Sequence, residues 1–160
     1  MRISAPAFLR TAALVAAVSA CAPGPASGPS PELAANPLLR PWTGPYGGVP
    51  PFDQVKVEHF KPALEAAMAE QLAEVERIAA DPAAPTFANT IEALEDAGRT
   101  LGRVATSYGI WSSSLNTPEF QAVQREMAPR LAAFADRITQ NAALFRRIEA
   151  VYTDPAKASL

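Results

Sequence analysis

The sequence has one cysteine, Cys21, and one histidine, His59, among its 160 residues. A single cysteine cannot form an internal disulfide, and an ordinary zinc site needs more histidine and cysteine ligands than this chain offers. Basic residues are also few, since 14 Lys and Arg stand against 16 Asp and Glu, and no basic cluster exceeds Arg146 and Arg147. These shortages exclude a disulfide scaffold and argue against a catalytic metal site within the chain and against nucleic acid as a partner.

No uncharged apolar run reaches the roughly 20 residues that a membrane-spanning helix needs. The run from Thr11 to Ala20 covers ten residues and follows Arg2 and Arg10. A short apolar run behind basic residues is typical of a secretory signal. The sequence therefore predicts a signal peptide over residues 1–20 rather than a permanent membrane span.

The end of this run resembles a bacterial lipobox, Val18-Ser19-Ala20-Cys21. Small residues before the cut suit a signal peptidase, and the thiol of Cys21 is the group that would take a lipid thioether. We expect cleavage before Cys21, lipidation of that cysteine, and an exported lipoprotein anchored in a membrane facing the periplasm, inner or outer. The alternative is an ordinary signal that ends near an unmodified cysteine.

Residues 21–51 contain nine prolines and five glycines. Proline removes a backbone donor and interrupts both helices and strands, so we expect neither in this stretch. The composition predicts a semi-extended tether between the anchor and a folded region. Removal of residues 1–20 takes away Arg2 and Arg10, which leaves 12 basic and 16 acidic residues and a formal charge of −4.

From residue 52 to residue 152, apolar residues recur at three- and four-residue steps, the period of amphipathic helices. No segment alternates at period two, so a sheet is not expected. The pattern predicts an all-α fold, an array of three to four amphipathic helices. The four apolar stripes are Phe60, Leu64, Ala67, Met68, Leu72, Val75 and Ile78; Phe87, Ile91, Leu94, Leu101, Val104, Tyr108 and Trp111; Phe120, Val123, Met127, Leu131, Phe134 and Ile138; and Leu144, Phe145, Ile148, Val151 and Tyr152.

Capping residues and prolines set the expected helix boundaries. Thr86 is placed to cap the second helix and Thr117 the third, with Pro118 at its first helical position. Pro62 fits only in the first turn of the first helix, whereas Pro129 lies inside the third and should kink it.

Three glycines interrupt the second stripe, Gly98, Gly102 and Gly109. Each weakens a helix by about 1 kcal/mol relative to alanine, so we expect a neighbouring helix to approach closely at these positions. The stripes either close an antiparallel bundle or face helices outside this chain, and both arrangements stay open. Residues 153–160 end without a cap or a charged tail, so we expect a truncated end there.

Four blocks in order carry a resemblance to the N-terminal part of the peptidyl-dipeptidases, or dipeptidyl carboxypeptidases, of the M3 family of zinc metallopeptidases. They are GVPPFD at 48–53 with VEHFKPAL at 57–64, PTFANTIEALE at 85–95, EMAPRLAA at 126–133, and NAALFRRIEAVY at 141–152. One departure is Phe134, which stands where these enzymes often have histidine.

The resemblance implies a mostly helical enzyme with a deep channel between two lobes, which removes dipeptides from the C-termini of short peptides. It also implies Zn²⁺ held by an HExxH helix, in which the glutamate acts as general base on the bound water. This chain contains no HExxH motif, and Glu58-His59 is not half of one. We expect His59 to serve at a helix start, and we expect no catalytic or metal-ligating residue in this chain.

Other polar residues are expected to be structural. The carboxylates could pair for acid/base chemistry, but their spacing favours solvated helix faces. The serine run 112–114 has no histidine base nearby in sequence and is expected to end the second helix. The carboxylates considered are Glu65, Glu70, Glu74, Glu76, Glu92, Glu95 and Asp96.

Two functions stay open at this point. One is the N-terminal segment of a lipid-anchored zinc peptidyl-dipeptidase, with residues 52–152 forming part of the helical wall of its substrate channel. The other is a free-standing helical lipoprotein that binds a partner and has no enzymatic role. A reading of the downstream nucleotide sequence for HExxH separates them.

Overall fold

A computed structural model describes residues 30–45 and 48–155, and these residues are helical without a strand. The predicted signal peptide and lipobox, including Cys21, lie outside the described residues. None of the helices within the described ranges is both long and apolar enough to cross a bilayer. The elements are α1 (Pro31–Ala35), α2 (Val57–Ala80), a π-helical turn (Phe87–Glu92) that runs into α3 (Ala93–Asp96), α4 (Arg99–Ser114), α5 (Pro118–Thr139) and α6 (Ala142–Thr153). The predicted all-α fold is confirmed.

The long helix α2 lies at the centre, and α1, α3, α4, α5 and α6 all pack against it. Its 24 residues extend for about 36 Å. The ring of Phe60 is fully buried and makes edge contacts with Trp111 of α4 and Phe120 of α5, at centroid distances of 5.2 and 5.1 Å. The apolar stripes of α2, α4 and α5 therefore face one another within this chain.

Both predicted capping threonines are confirmed. The hydroxyl of Thr86 accepts the N–H of Asn89 at 3.1 Å, and the Asn89 side-chain oxygen accepts the N–H of Thr86 at 2.7 Å. This reciprocal pair is a capping box that satisfies two otherwise unpaired backbone donors. Thr117 caps α5 by accepting the N–H of Phe120 at 3.3 Å, with Pro118 at the first helical position.

The prediction of one continuous second helix is wrong, because the chain breaks at Gly98. This residue has φ +78°, a left-handed conformation that favours glycine, and its N–H donates to Glu74 of α2 at 2.7 Å. A Cβ here would overlap the Gln71 side chain, so the predicted close approach is confirmed at Gly98. It is wrong at Gly102 and Gly109, where an added Cβ would meet no described atom within 4 Å.

The expected place of Pro62 in a first helical turn is also wrong, because α2 begins earlier. The side chain of His59 accepts the N–H of Lys56 through Nδ1 at 3.0 Å, which starts the helix at Val57 and confirms His59 as a helix-start residue. Pro62 therefore lies inside α2 at the cost of one backbone hydrogen bond. Pro129 lies inside α5, as predicted.

The expectation that residues 21–51 contain no helix is wrong for the part that the structure describes. Pro31 occupies the first turn of α1, where its missing N–H costs nothing, and Ser30 caps that turn. Leu38 is 1% exposed and joins the core around Phe60. We call residues 30–45 the strap, because they pack along the N-terminal end of α2.

One polar residue, Asn36, holds the strap in place. It is 4% exposed, its side-chain amide donates to the carbonyl of His59 at 2.9 Å, and its side-chain oxygen accepts the N–H of Leu38 at 3.0 Å. A buried amide that satisfies its donors and acceptors in this way fixes one backbone arrangement. The apolar Leu38 side chain nearby is buried in the core, which the number of prolines in residues 21–51 does not indicate.

The stripe on α6 differs from its prediction. Leu144 and Val151 are buried, but Phe145 and Tyr152 are 61% and 71% exposed. The third buried residue of this helix is Arg147, which lies between Leu144 and Val151. A helix of 12 residues buries one narrow face, and here the polar contacts of Arg147 decide which face that is.

Replacement of Phe60 by alanine should destabilise the fold by about 3–5 kcal/mol, because it removes the central ring from a fully buried aromatic cluster. Phe145→Ala makes the same chemical change at an exposed position and should shift the free energy of unfolding by about 0.5 kcal/mol or less. Urea unfolding followed by circular dichroism measures both. Equal effects from the two variants would contradict the packing described here.

Candidate functional site

Among the residues that the structure describes, the one buried residue that carries a charge is Arg147, which is 6% exposed. Its Nη1 donates to the carbonyls of Asp81 and Ala83 at 2.7 and 3.1 Å. Its Nη2 donates to the Asn89 side-chain oxygen at 3.1 Å and to the Asp81 carboxylate at 3.4 Å. One side chain from α6 thus holds the loop that follows α2 and the first turn of the π-helical segment.

Asn89 is the second member of this network, which we call the Arg147 network. Its side-chain oxygen accepts from Arg147, from the N–H of Thr86, and from the hydroxyl of Thr90 at 3.0 Å. Its side-chain amide donates to the carbonyl of Ala84 at 2.9 Å. Asn89 lies within the π-helical turn Phe87–Glu92, a geometry that recurs at functional positions in proteins.

Burial of a charged group is costly unless it is paired and hydrogen-bonded. The carboxylate of Asp81 supplies the counter-charge and is itself 30% exposed, while two carbonyls and one amide oxygen complete the acceptors. The Nε atom of Arg147 is buried without a hydrogen-bond partner among the described residues. The network therefore positions backbone rather than a reacting group.

A second cluster of charges joins α2 to α5 at the surface. Glu126 of α5 accepts from Lys61 of α2 at 2.6 Å and from Arg130 one turn later at 2.9 Å, and Arg130 also pairs with Glu65 of α2. The hydrogen bond from Lys61 is the largest effect on the pKa of Glu126 and lowers it. Burial opposes that effect in part, and the positive charges of Lys61 and Arg130 lower the pKa further. These groups are 39–47% exposed, so they set the register of the helices more than their stability.

The aromatic cluster forms the apolar counterpart of this surface. The ring of Tyr108 lies 5.9 Å from Phe60 and 5.2 Å from Phe120, and burial raises the pKa of its hydroxyl. Trp111 completes the cluster, and its indole N–H is buried without a partner among the described residues. This cluster is a packing core, because its rings contact one another rather than an open cavity.

Two cavities adjoin α2 at opposite ends. One of about 670 Å³ lies between the strap and the start of α2 and is lined by Glu32, Glu58, His59 and Glu65, among others. The other, of about 390 Å³, lies at the end of α2 beside Glu74, Arg77, Asp81, Asn89 and Asp96. In the first cavity Glu58 pairs with Lys56 and Glu65 with Arg130, and in the second Asp81 pairs with Arg147 and Asp96 with Arg99.

The serines, the carboxylates and Phe134 that the sequence analysis singles out lie at a helix end, on helix surfaces and against the core. Ser112 accepts from Gln124 at 2.7 Å and Ser113 donates to the carbonyl of Ile110 at 3.0 Å at the end of α4. Phe134 is half-buried against the core. The carboxylates named above lie on exposed or half-buried helix surfaces.

The zinc that the resemblance implies does not fit the described residues. No three histidine, cysteine, aspartate or glutamate side chains in the ranges 30–45 and 48–155 lie close enough to hold a metal ion. The Nδ1 atom of His59 already accepts the N–H of Lys56. The nitrogen and sulfur donors that zinc favours are therefore not gathered in this described part of the chain.

Sequence reasoning did not single out Arg147 or Asn89. A signal for Arg147 was present, because it lies three residues after Leu144 and four before Val151, on the buried stripe of α6. A long cationic side chain on such a stripe either leaves its charge in water or finds buried acceptors. The acceptors here come from residues 58 to 66 positions earlier in the chain, so the pattern could not reveal which of the two applies.

The sequence of this chain is similar to those of several known peptidases. No family model matches it. The dipeptidyl carboxypeptidases of Salmonella typhimurium and Escherichia coli are 36% and 37% identical to it over 75% and 73% of this chain, which corresponds to 18% and 17% of their own lengths. Oligopeptidase A of Escherichia coli is 29% identical over 69% of this chain and 16% of its own length.

The chain is thus a homologue of the M3 peptidases, as the four blocks predict, and it spans less than a fifth of the length of these relatives. Within that class its identity to the two dipeptidyl carboxypeptidases exceeds its identity to oligopeptidase A.

Substitution of Arg147 by methionine should destabilise the fold by about 2–3 kcal/mol, because it removes the donor to the carbonyls of Asp81 and Ala83 and one of the three donors to the Asn89 side-chain oxygen. Arg146→Met makes the same change at the exposed neighbour and should cost about 0.5 kcal/mol or less. Chemical denaturation measures the free energy, and hydrogen exchange at residues 81–90 should rise in Arg147→Met alone. A similar loss in both variants would show that the network is not what holds this loop.

Acidification should weaken the junction between α2 and α5. The pKa of Glu126 is lowered in the folded state, so its contribution is complete above the unfolded value of about 4.3 and is lost as the pH falls through the folded pKa. Thermal midpoints between about pH 7 and about pH 3 measure this. The variant Glu126→Gln should show a smaller decline across that range, and an identical decline would rule out a role for this carboxylate.

Proposed function

We propose that this chain is part of an exported peptidyl-dipeptidase and forms a section of the helical wall of its substrate channel. The observation that carries the proposal is the 36–37% identity to two dipeptidyl carboxypeptidases over about three quarters of the chain. The substrates would be short peptides that lose C-terminal dipeptides. In such an enzyme Zn²⁺ would polarise the scissile bond. This sequence has no HExxH, so the residues that hold the zinc would belong to other parts of a longer protein.

The residues of this chain would contribute shape rather than chemistry. A channel wall must keep its backbone in place while substrates differ in sequence, and peptide positioning of that kind depends on rigid elements. The long helix α2, the ion pairs to α5 and the Arg147 network supply such rigidity. These features support the proposal because they order backbone without forming a reactive constellation.

We also propose that Cys21 carries the lipid anchor and that the protein is attached to a membrane facing the periplasm. The support is sequence order alone: basic residues, a ten-residue apolar run, and Val18-Ser19-Ala20-Cys21. Stable attachment needs more than one acyl chain, because a single chain gives only marginal membrane binding.

The 160-residue product, purified as it is expressed, should bind no stoichiometric zinc and release no dipeptide from a chromogenic tripeptide. The reason is ligand number, since a catalytic zinc site of this class needs three protein ligands and an open position for water. Metal content after dialysis and peptide cleavage are the measurements. Dipeptide release that a chelator abolishes and zinc restores would contradict the assignment of this chain to the wall.

The downstream nucleotide sequence tests the larger proposal directly. An HExxH codon pattern in any of the three frames is expected if the chain is part of a longer peptidase. A native stop codon followed by unrelated sequence, together with cooperative melting of the 160-residue product, would instead favour the free-standing lipoprotein.

The variant Cys21→Ser should abolish lipidation and move the protein from the membrane fraction to the soluble fraction. Mass spectrometry of the N-terminal peptide should show an acylated Cys21 in the unmodified sequence. The substitution Ser27→Ala lies in the same segment but outside the lipobox and serves as the control. Recovery of a protein that begins at Met1, or unchanged partition of Cys21→Ser, would overturn the anchor.

A further inference from the structure

We propose that the strap shortens the membrane tether and holds the N-terminal end of α2 toward the phospholipid surface, with the Arg147 network at the far end. The inference rests on the lipid anchor proposed for Cys21 and adds to it an orientation for the folded body.

The first step is where the folded body begins. Leu38 lies in the core at 1% exposure and Asn36 donates to the carbonyl of His59 at 2.9 Å, so the strap is part of the body. Thr43 of the strap also forms an isolated antiparallel bridge with Val49. The packed body therefore includes residues from Ser30, the cap of α1, and does not begin only after residue 51.

The second step is reach. A fully extended chain spans at most about 3.3–3.6 Å per residue, so the nine residues from Cys21 to Ser30 cover no more than about 30 Å. If residues 21–51 were all free, the same limit would be about 100 Å. Packing of the strap thus removes roughly two thirds of the reach that the proline-rich composition suggests.

The third step is direction. The strap contacts α2 at His59, near its start, whereas Arg147 contacts Asp81 just beyond its end. These points are 22 residues apart along the helix and therefore about 33 Å apart in space. Because the tether is shorter than α2, it keeps the N-terminal end of this helix closer to the membrane, on average, than the C-terminal end.

Charge does not supply a competing attraction at this end. Lys56 pairs with Glu58 at 3.7 Å, Lys61 with Glu126 at 2.6 Å, and Arg130 with Glu65. These three basic groups are thus matched by carboxylates and add no excess of positive charge for anionic lipid. The length of the tether, rather than adhesion of a basic face, sets the distance, which should be insensitive to salt.

The experiment places a thiol-reactive donor at Glu58→Cys or Ala80→Cys, both exposed and both on α2, in the anchored full chain. The acceptor is a headgroup-labelled lipid in vesicles of phosphatidylethanolamine and phosphatidylglycerol. The native cysteine does not compete for label when it is blocked by lipid. Energy transfer should be clearly stronger from position 58 than from position 80, in low and in high salt. Equal transfer from both positions would overturn the orientation.

Release of the strap is the second arm. Leu38→Asp places a charge in the core and should lower transfer from position 58 while the helical circular dichroism of α2 to α6 is kept. Asn36→Ala removes the bond to His59 without adding charge and should act in the same direction, which covers the case in which Leu38→Asp does not fold. Ala34→Asp adds the same charge at an exposed site of α1 and should leave transfer unchanged. Unchanged transfer in folded Leu38→Asp would overturn the role of the strap.

A third measurement separates this inference from the anchor itself. In the Cys21→Ser background, which needs no membrane, a thiol at Leu38→Cys should react with a maleimide at least roughly tenfold more slowly than a thiol at Ala34→Cys, because a packed strap excludes the reagent. Equal rates would overturn the strap even if Cys21 is lipidated. Protection at position 38 without membrane association of the native chain would overturn the anchor, and with it the orientation.

Discussion

Burial of the apolar face of α2 is the interaction on which the other elements depend. Phe60, Leu64, Ala67 and Val75 are at most 1% exposed over four turns of this helix, and each of the other described α-helices packs against it. Apolar burial of this extent supplies the main stabilising free energy of a small all-helical unit. The strap covers the start of α2, α4 and α5 cover its aromatic section, and α6 reaches its end through Arg147.

Polar contacts then fix how the helices meet. Ion pairs along the α2–α5 seam join Lys61 to Glu126, Glu65 to Arg130, and Glu76 to Arg137. They are too exposed to contribute much stability. Each joins opposite charges on the two helices, however, so a shift of α5 along α2 by one turn would separate them and is disfavoured. The Arg147 network acts differently, because its buried donors would be left unsatisfied in any other arrangement of α6. Together these contacts hold the helices in one arrangement, which the proposed place in the wall of a peptidyl-dipeptidase channel would require.

Sequence patterns determined much of the helical architecture. Period, capping threonines and prolines predict the all-α class, the start of α5 at Thr117, the end of α4 at the serine run, and the helix-start role of His59, since each depends on neighbours within one or two turns. The four blocks also predict the relationship to M3 peptidases that the comparisons confirm. The predictions for Cys21 concern residues outside the described ranges and stay predictions.

Tertiary structure decided the rest, for a physical reason that the particular errors share. Gly98 takes a left-handed conformation because Gln71 and Glu74 of another helix lie against it; Arg147 is buried because acceptors lie ready near residues 81–89; and the strap packs because Leu38 finds a pocket beside Phe60. In each case the partner is more than 20 residues away along the chain. Local sequence determines which backbone conformations have low energy at a position. The free energy that selects among them comes from contacts with residues that only the folded chain brings together.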